Sequence, residues 1–216
     1  MKRSIVFTGM LMCTVGANVT AQSSPVQVGV DFGAVIASVV GDGDENTDSH
    51  KAPYAGASLV VHKTGARFGF QTGLYLVPKG STSKDTDFSA KLSLNYVEIP
   101  LLLRVAFPLQ GSKVVPALLL GGSVGIKTSC NATFEAGVVS TKLDCEDSSF
   151  EGDLKVKTID FGVSGGVEVA IPVGTRFFLA PTVRYTRGLI DIADTSDKQH
   201  AKNTAFQIGA MFRIQM

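Results

Sequence analysis

The sequence predicts an all-β fold, an eight-stranded antiparallel up-and-down barrel that crosses a membrane. Three observations lead to this class. Eight segments alternate apolar with small or polar side chains, as a strand with two different faces does. Short turns and long polar connections follow one another in strict alternation. The first residues form an export signal, and apart from helices only a closed barrel satisfies every backbone group inside a bilayer.

The N-terminal segment has the features of a signal for export. Lys2 and Arg3 precede an apolar stretch, and the segment ends in Val19-Thr20-Ala21, with small side chains at the positions that a signal peptidase reads. We therefore expect a cleaved signal peptide over residues 1–21 and a barrel domain over residues 22–216.

The charge of the mature chain is nearly balanced. The full sequence holds 20 Lys and Arg and 19 Asp and Glu, so loss of Lys2 and Arg3 leaves 18 basic and 19 acidic residues. Such balance gives no electrostatic reason to expect a nucleic-acid partner. The best candidate for a membrane helix, Val114 to Ile126, contains Pro116 and three glycines and is shorter than the roughly 18 residues required. Any crossing of a membrane therefore uses strands.

Eight strands are predicted in the mature chain. They are residues 26–40, 53–63, 66–77, 92–107, 114–128, 154–171, 176–188 and 203–216. Three connections are short and carry glycine or proline turn chemistry: Lys63–Ala66, Pro108–Lys113 and Pro172–Thr175. The other four are long and polar, at 41–52, 78–91, 129–153 and 189–202. This order places the short turns and both termini at one end, as in outer-membrane barrels, whose turns face the periplasm.

The strand predicted over 154–171 shows the alternation most clearly. From Ile159 to Ile171 the odd positions are apolar apart from Gly165, whereas the even positions include Asp160 and Glu168. The same separation elsewhere predicts a lipid-facing set: Phe68, Phe70, Leu74, Leu76, Val97, Ile99, Leu101, Leu103, Val105, Phe107, Phe177, Leu179, Val183, Tyr185, Phe206, Ile208, Phe212, Ile214 and Met216.

The predicted inward face combines glycine with charge. Its charged members are Asp31, Arg67, Glu98, Arg104, Asp160, Glu168, Arg184 and Arg213. Four carboxylates and four guanidiniums in a narrow barrel predict a paired, hydrogen-bonded plug, because an unpaired buried charge is costly. An eight-stranded barrel is wide enough only for its own side chains, which disfavours a channel. A soluble lipocalin-type barrel is the alternative fold, disfavoured because glycine with few Lys or Glu makes a poor soluble surface.

One stretch resembles a known family. The residues from Asn95 to Arg104, Asn-Tyr-Val-Glu-Ile-Pro-Leu-Leu-Leu-Arg, resemble the Tyr-x-Glu-Ile-Pro-Leu-Leu-Leu stretch of the PorT-like outer-membrane β-barrel proteins, and Pro116-Ala117 with a glycine-rich strand follows, as in that family. The resemblance implies an eight-stranded barrel of the OmpA and OmpX kind, within the porin family, in the outer membrane. The chain departs from the pattern at Met216, where an aromatic residue is usual, and in its own cysteine pair.

Two cysteines, Cys130 and Cys145, lie in one polar connection of an exported chain. A disulfide between them is the favoured interpretation, because the compartments beyond the inner membrane are oxidising. A metal site is the weaker interpretation, since no histidine lies nearby in the sequence. Cys13 lies within the export signal, and a lipid anchor there is disfavoured because Met12 is too large for the residue before a lipidated cysteine.

The first long connection holds oxygen ligands at alternate positions. They are Asp42, Asp44, Asn46 and Asp48. A calcium loop needs glycine at its sixth position and glutamate at its twelfth, where this chain has Thr47 and Pro53. A solvated acidic loop is therefore favoured over a weak calcium site, and no cofactor is expected.

Catalysis has little support in the sequence. His50 and His200 lie in long connections with Ser49 and Ser196, but no nucleophile elbow or other spaced signature joins them. The favoured function is therefore a non-enzymatic structural or surface-interaction role through long outer loops. A small channel is the alternative, and a hydrolase is less favoured. The expected partners are outer-membrane lipid and an unidentified surface or periplasmic protein.

Overall fold

The computed structural model describes residues 26–41, 47–63, 65–84, 88–136, 139–145, 156–192 and 201–216. Within these ranges lie nine strands: β1 (Val26–Gly41), β2 (Thr47–His62), β3 (Phe68–Lys84), β4 (Phe88–Ala106), β5 (Val115–Ala136), β6 (Val139–Asp144), β7 (Ile159–Val173), β8 (Phe177–Gly188) and β9 (Ala201–Gln215). In this part of the chain no helix is long and apolar enough to span a membrane. The predicted signal peptide over residues 1–21 lies outside the described residues.

Eight of these nine strands close an antiparallel barrel. Each strand from β1 to β5 pairs with the next, β5 also pairs with β7, and β7, β8 and β9 follow in order. The ring closes where β9 returns to β1, with Gly29 opposite Arg213 and Gly41 opposite Ala201. β6 pairs with β5 outside this ring. The predicted eight-stranded up-and-down barrel is confirmed, with one additional strand.

The three predicted short turns lie together at one end of the barrel. Gly65, Gly111 and Gly174 adopt φ angles of 76°, 73° and 77° in these turns, a left-handed conformation that glycine reaches at no steric cost. β1 begins and β9 ends at the same end. We call it the inner end, and the opposite end, with the long connections, the outer end.

The strands run farther at the outer end than the sequence predicts. β3 continues to Lys84 and β4 begins at Phe88, so the connection predicted over 78–91 is mostly a strand hairpin. The connection predicted over 129–153 holds the end of β5 and all of β6. These extensions are rich in serine, threonine and lysine, so apolar alternation is weak there. Pairing across the hairpins makes them strands even though no clear apolar alternation marks the sequence.

A belt of exposed apolar side chains surrounds the barrel. Phe70, Leu76 and Leu101 are 60% to 66% exposed, and the other predicted outward side chains are exposed or half-buried. A continuous apolar surface of this extent is unusual on a soluble monomer and typical of the lipid-facing band of a membrane barrel. The predicted outward face is confirmed.

Glycines inside the barrel make room for aromatic rings. Gly33 and Gly209 face each other across β1 and β9, and a Cβ atom on Gly209 would collide with the hydroxyl of Tyr54. Tyr54 packs with Tyr75 and Val35 in an apolar cluster of buried residues. The glycines of the inward face therefore leave space that the large aromatic side chains fill.

Candidate functional site

Seven of the eight charged residues predicted to face inward are buried. They are Asp31, Glu98, Arg104, Asp160, Glu168, Arg184 and Arg213, each at most 7% exposed. Arg67 is the exception, because it is exposed in the turn before β3, where its backbone oxygen accepts a hydrogen bond from the Ala106 amide. The prediction for Arg67 is wrong because β3 begins at Phe68, so the turn rather than the strand alternation orients Arg67.

Lys79 is an interior cation that the sequence did not predict. The predicted strand stops at residue 77, whereas β3 continues to Lys84. Lys79 follows Tyr75 and Val77 at a spacing of two, which places all three side chains on the inward face, and it is 3% exposed. That spacing is the signal that identifies it. With Lys79 in place of Arg67, this set of buried residues still contains four acids and four bases.

The inner cluster is built around Glu168. One carboxylate oxygen of Glu168 accepts from Nε of Arg104 at 2.7 Å, and the other accepts from Nη2 of Arg213 at 2.6 Å. Arg213 also donates from Nη1 to the side-chain oxygen of Gln27 at 3.3 Å. Because these residues lie on β4, β7, β9 and β1, the cluster joins strands across the barrel as well as neighbours. Charge-assisted bonds of this kind are among the strongest hydrogen bonds in proteins.

The outer cluster is built around Lys79. Its Nζ lies 3.1 Å from Oε2 of Glu98 and 3.3 Å from Oδ2 of Asp160. Asn203 donates a further hydrogen bond to the same Asp160 oxygen at 2.9 Å. The ammonium also stands 5.0 Å from the ring centroid of Tyr96, within the range of a cation–π contact. One lysine therefore forms ion pairs with two carboxylates from different strands.

Arg184 connects the outer cluster with Asp31. Its Nη2 lies 3.6 Å from Oε1 of Glu98, and its Nε donates to Gln207 at 2.6 Å. The guanidinium stacks 4.6 Å from the ring centroid of Tyr75, whose hydroxyl donates to Asp31 at 3.0 Å. The cavity beside Asp31 and Arg184 has a volume of about 10 Å³, close to the space of one water molecule.

A second structural feature lies beyond the membrane belt, where strand extensions form a sheet. We call it the outer sheet, and it consists of Pro78–Lys84 of β3, Phe88–Asn95 of β4, Ser129–Ala136 of β5 and the whole of β6. β6 is exposed along nearly all of its length. The outer sheet thus presents a β-structured surface where the sequence predicts loops.

The predicted disulfide between Cys130 and Cys145 is present at the base of the β5–β6 hairpin. The two Cα atoms are 5.4 Å apart, and the Cys145 amide donates to the Cys130 carbonyl at 3.3 Å. Cys130 is buried against Leu94, Tyr96 and Ile192. The hairpin is therefore fixed covalently at its base and packed onto the mouth of the barrel.

The calcium and catalytic candidates fall mostly outside the described residues. Of the four calcium candidates only Asp48 is described, and it lies in β2 as the strand partner of Thr82. Asp42, Asp44, Asn46, Ser196 and His200 are not among the described residues. His50 is buried at the outer end, where burial and the charge of Lys91 lower the pKa of its imidazole. No group of three or more potential metal ligands occurs in the described ranges.

Comparison with known proteins agrees with this architecture. Residues 20–194 match the family described as outer membrane protein β-barrel domain. Among solved structures, Neisserial surface protein A (NspA) is 15% identical, with 88% of this chain and 97% of that chain covered and a TM-score of 0.50. OprG from Pseudomonas aeruginosa is 13% identical, with 88% and 96% covered and a TM-score of 0.47. Curated proteins give no match.

The family match confirms the predicted outer-membrane location. At 15% identity the likeness to NspA concerns the fold alone. The PorT-like resemblance of the stretch from Asn95 to Arg104 stays a prediction.

Proposed function

Since the chain belongs to the outer membrane protein β-barrel domain family, we propose that it is a non-enzymatic barrel that displays a rigid interaction surface outside the cell. The observation that carries this proposal is the outer sheet with its disulfide. A surface that is already ordered loses less conformational entropy on binding than a flexible loop does. The membrane part serves as a stable support for that surface.

The filled interior of the barrel favours a role as a scaffold over a role in transport. The acidic and basic side chains form ion pairs within the inner cluster and within the outer cluster. The cavity beside Asp31 and Arg184 is close to the size of one water molecule. A barrel of eight strands is filled by its own side chains, so conduction of solutes is disfavoured as the function.

Removal of the exposed hairpin tests the proposed function. A variant in which residues 130–145 are replaced by Asn-Gly loses the outer part of β5 and all of β6 but retains Val115–Ser129 of β5 and the other seven strands of the ring. Its heat-modifiable gel mobility is expected to match that of the wild type, because the retained part of β5 still pairs with β4 and β7. Fluorescent nanodiscs carrying each protein are then incubated with intact bacterial cells and with cultured animal cells, and bound fluorescence is counted by flow cytometry.

The wild-type protein is expected to bind at least one cell type, and the shortened variant is expected to lose most of that binding. The double variant Cys130→Ser, Cys145→Ser keeps the hairpin but frees its base, and intermediate binding is expected. Equal binding by the wild type and the shortened barrel, or binding by neither, contradicts the proposal.

A further inference from the structure

A polar cleft lies at the outer end of β2, β3 and β4, apart from the interior clusters and the β5–β6 hairpin. It has a volume of about 400 Å³, and its lining consists of Asp48, Ser49, His50, Lys51, Thr82 and Lys91. The paired interior uses none of these residues. The cleft is therefore a separate feature of the outer surface.

Strand register and a bulge bring these residues together. Asp48 is the partner of Thr82, and Thr82 is the partner of Lys91, so the three stand in one row across β2, β3 and β4. In a regular strand successive side chains point to opposite faces. The pairing of β2 with β3 shifts by one residue between Ser49 and Ala55, and such bulges redirect side chains at the rims of barrels. Four consecutive residues of β2 thereby line one cleft.

The charges in the cleft favour an anion over a cation. Lys51 and Lys91 are exposed cations, and Asp48 is the single carboxylate in the described lining. Ser49 and Thr82 add hydroxyl groups that donate hydrogen bonds. A phosphate group makes charge-assisted hydrogen bonds with such donors.

His50 adds a titratable group to the cleft. It is 8% exposed, and its pKa is lowered first by burial and then by the charge of Lys91. Lys91 faces it from β4, Asp48 and Lys51 flank it on β2, and its partner on β1, Ala37, is uncharged. An anion in the cleft favours the protonated imidazole and raises the pKa again. The state of His50 therefore reports whether the cleft is occupied.

The position of Lys51 places the cleft at the surface of the membrane. Lys51 is the strand partner of Ile36, whose side chain is 37% exposed and belongs to the apolar belt. Directly opposed residues of neighbouring strands project to the same face. The Lys51 side chain therefore emerges in the upper part of the belt, below Val40, which is 51% exposed, and its long stem carries the ammonium toward the level of the lipid headgroups.

We propose that this cleft binds the phosphate group of an anionic lipid headgroup in the outer leaflet. Lys51 and Lys91 supply the positive charge, Thr82 donates a hydrogen bond, and His50 becomes protonated when the phosphate enters. Asp48 opposes the anion and keeps the affinity moderate. This site does not depend on the role proposed for the outer sheet.

Proton titration of the histidines by NMR tests the proposal on the mature barrel in nanodiscs. The imidazole signals of His50 are followed against pH in pure phosphatidylcholine and in phosphatidylcholine containing phosphatidic acid, whose headgroup is a phosphate monoester. The anionic lipid is expected to raise the pKa of His50. His62, at the inner end, serves as an internal reference for the general effect of a negatively charged bilayer and is expected to shift less.

Two lysine variants separate the cleft from general surface charge. Lys91→Gln is expected to weaken the lipid-dependent shift of His50 about fivefold in apparent affinity, the upper range for one exposed ion pair. Lys142→Gln, an exposed lysine of β6 outside the cleft, is expected to leave it unchanged. Inorganic phosphate added to phosphatidylcholine nanodiscs is expected to act only weakly.

Each contrary outcome overturns a defined part of the proposal. An unmoved His50, or equal shifts of His50 and His62, removes the site. Equal losses in the two lysine variants reduce it to surface charge. A shift with inorganic phosphate as strong as that with phosphatidic acid removes the lipid as the ligand.

Discussion

Replacement of Glu168 is the most direct test of the paired interior. Its side chain is buried, and its two oxygens accept from Arg104 at 2.7 Å and from Arg213 at 2.6 Å. Glu168→Ala leaves both guanidiniums without this carboxylate in a barrel interior closed to bulk water. A charge left unpaired in the interior is not solvated by water, so loss of a buried ion pair destabilises the protein more than loss of a surface ion pair does.

The expected magnitude follows from the number of lost contacts. Removal of one partner of a buried ion pair costs about 3 to 5 kcal/mol. We expect Glu168→Ala to lower the free energy of unfolding by about 4 kcal/mol within that range, because Arg213 retains Gln27 as an acceptor. Glu168→Gln keeps the shape and one carbonyl acceptor, so we expect about half of that loss.

Urea unfolding in lipid vesicles, followed by heat-modifiable gel mobility, measures the effect. The sequence has no tryptophan, so gel mobility is preferred to intrinsic fluorescence. Glu135→Ala is the matched control, since Glu135 is an exposed carboxylate that accepts a hydrogen bond from Ser89 at 3.2 Å. Equal unfolding midpoints for Glu168→Ala and the wild type would refute the paired plug.

Three further predictions concern the interior, the pore and the disulfide. Lys79→Met is expected to lower the free energy of unfolding by about 3 kcal/mol, while Arg67→Gln leaves it unchanged; comparable urea midpoints for the two would contradict the interior role of Lys79. Planar-bilayer recordings are expected to show no sustained conductance, and reproducible steps would favour a channel. Reduction of Cys130–Cys145 is expected to speed tryptic cleavage after Lys142 while heat-modifiable mobility persists; unchanged cleavage argues against a tether.

The membrane part of the fold was predictable because lipid and packing constrain alternate positions. In β7 the residues Phe161 and Val163 are exposed to the belt, while Asp160, Gly162 and Ser164, which alternate with them, are buried. A slip of one residue would place a carboxylate in lipid, so the register is strongly specified. The same constraint holds for the buried Glu168, because its even-numbered position in β7 places it on the inward face.

The outer end was less predictable because lipid does not constrain it and packing acts at only some positions, such as the buried Leu94 and Cys130. Lys79 was missed since Gly80 and the serines after it carry no apolar pattern, and the strand continues because β2 and β4 pair with it. Arg67 was wrongly assigned to the inward face because the predicted strand begins at residue 66, two residues before β3 does. The bulge of β2 between Ser49 and Ala55 likewise depends on how β2 pairs with β3. No local sequence pattern therefore predicts the cleft beside it.

This difference between the two ends bears on where function resides. In the barrel interior, Glu168 and Lys79 are committed to internal partners at 2.6 to 3.3 Å, and displacing either for a ligand would expose an unpaired charge. At the outer end, the side chains of Lys51 and Lys91 are exposed, so they cost little to rearrange. Specific binding is therefore energetically accessible at the outer sheet and the β2–β4 cleft, and opposed in the barrel interior.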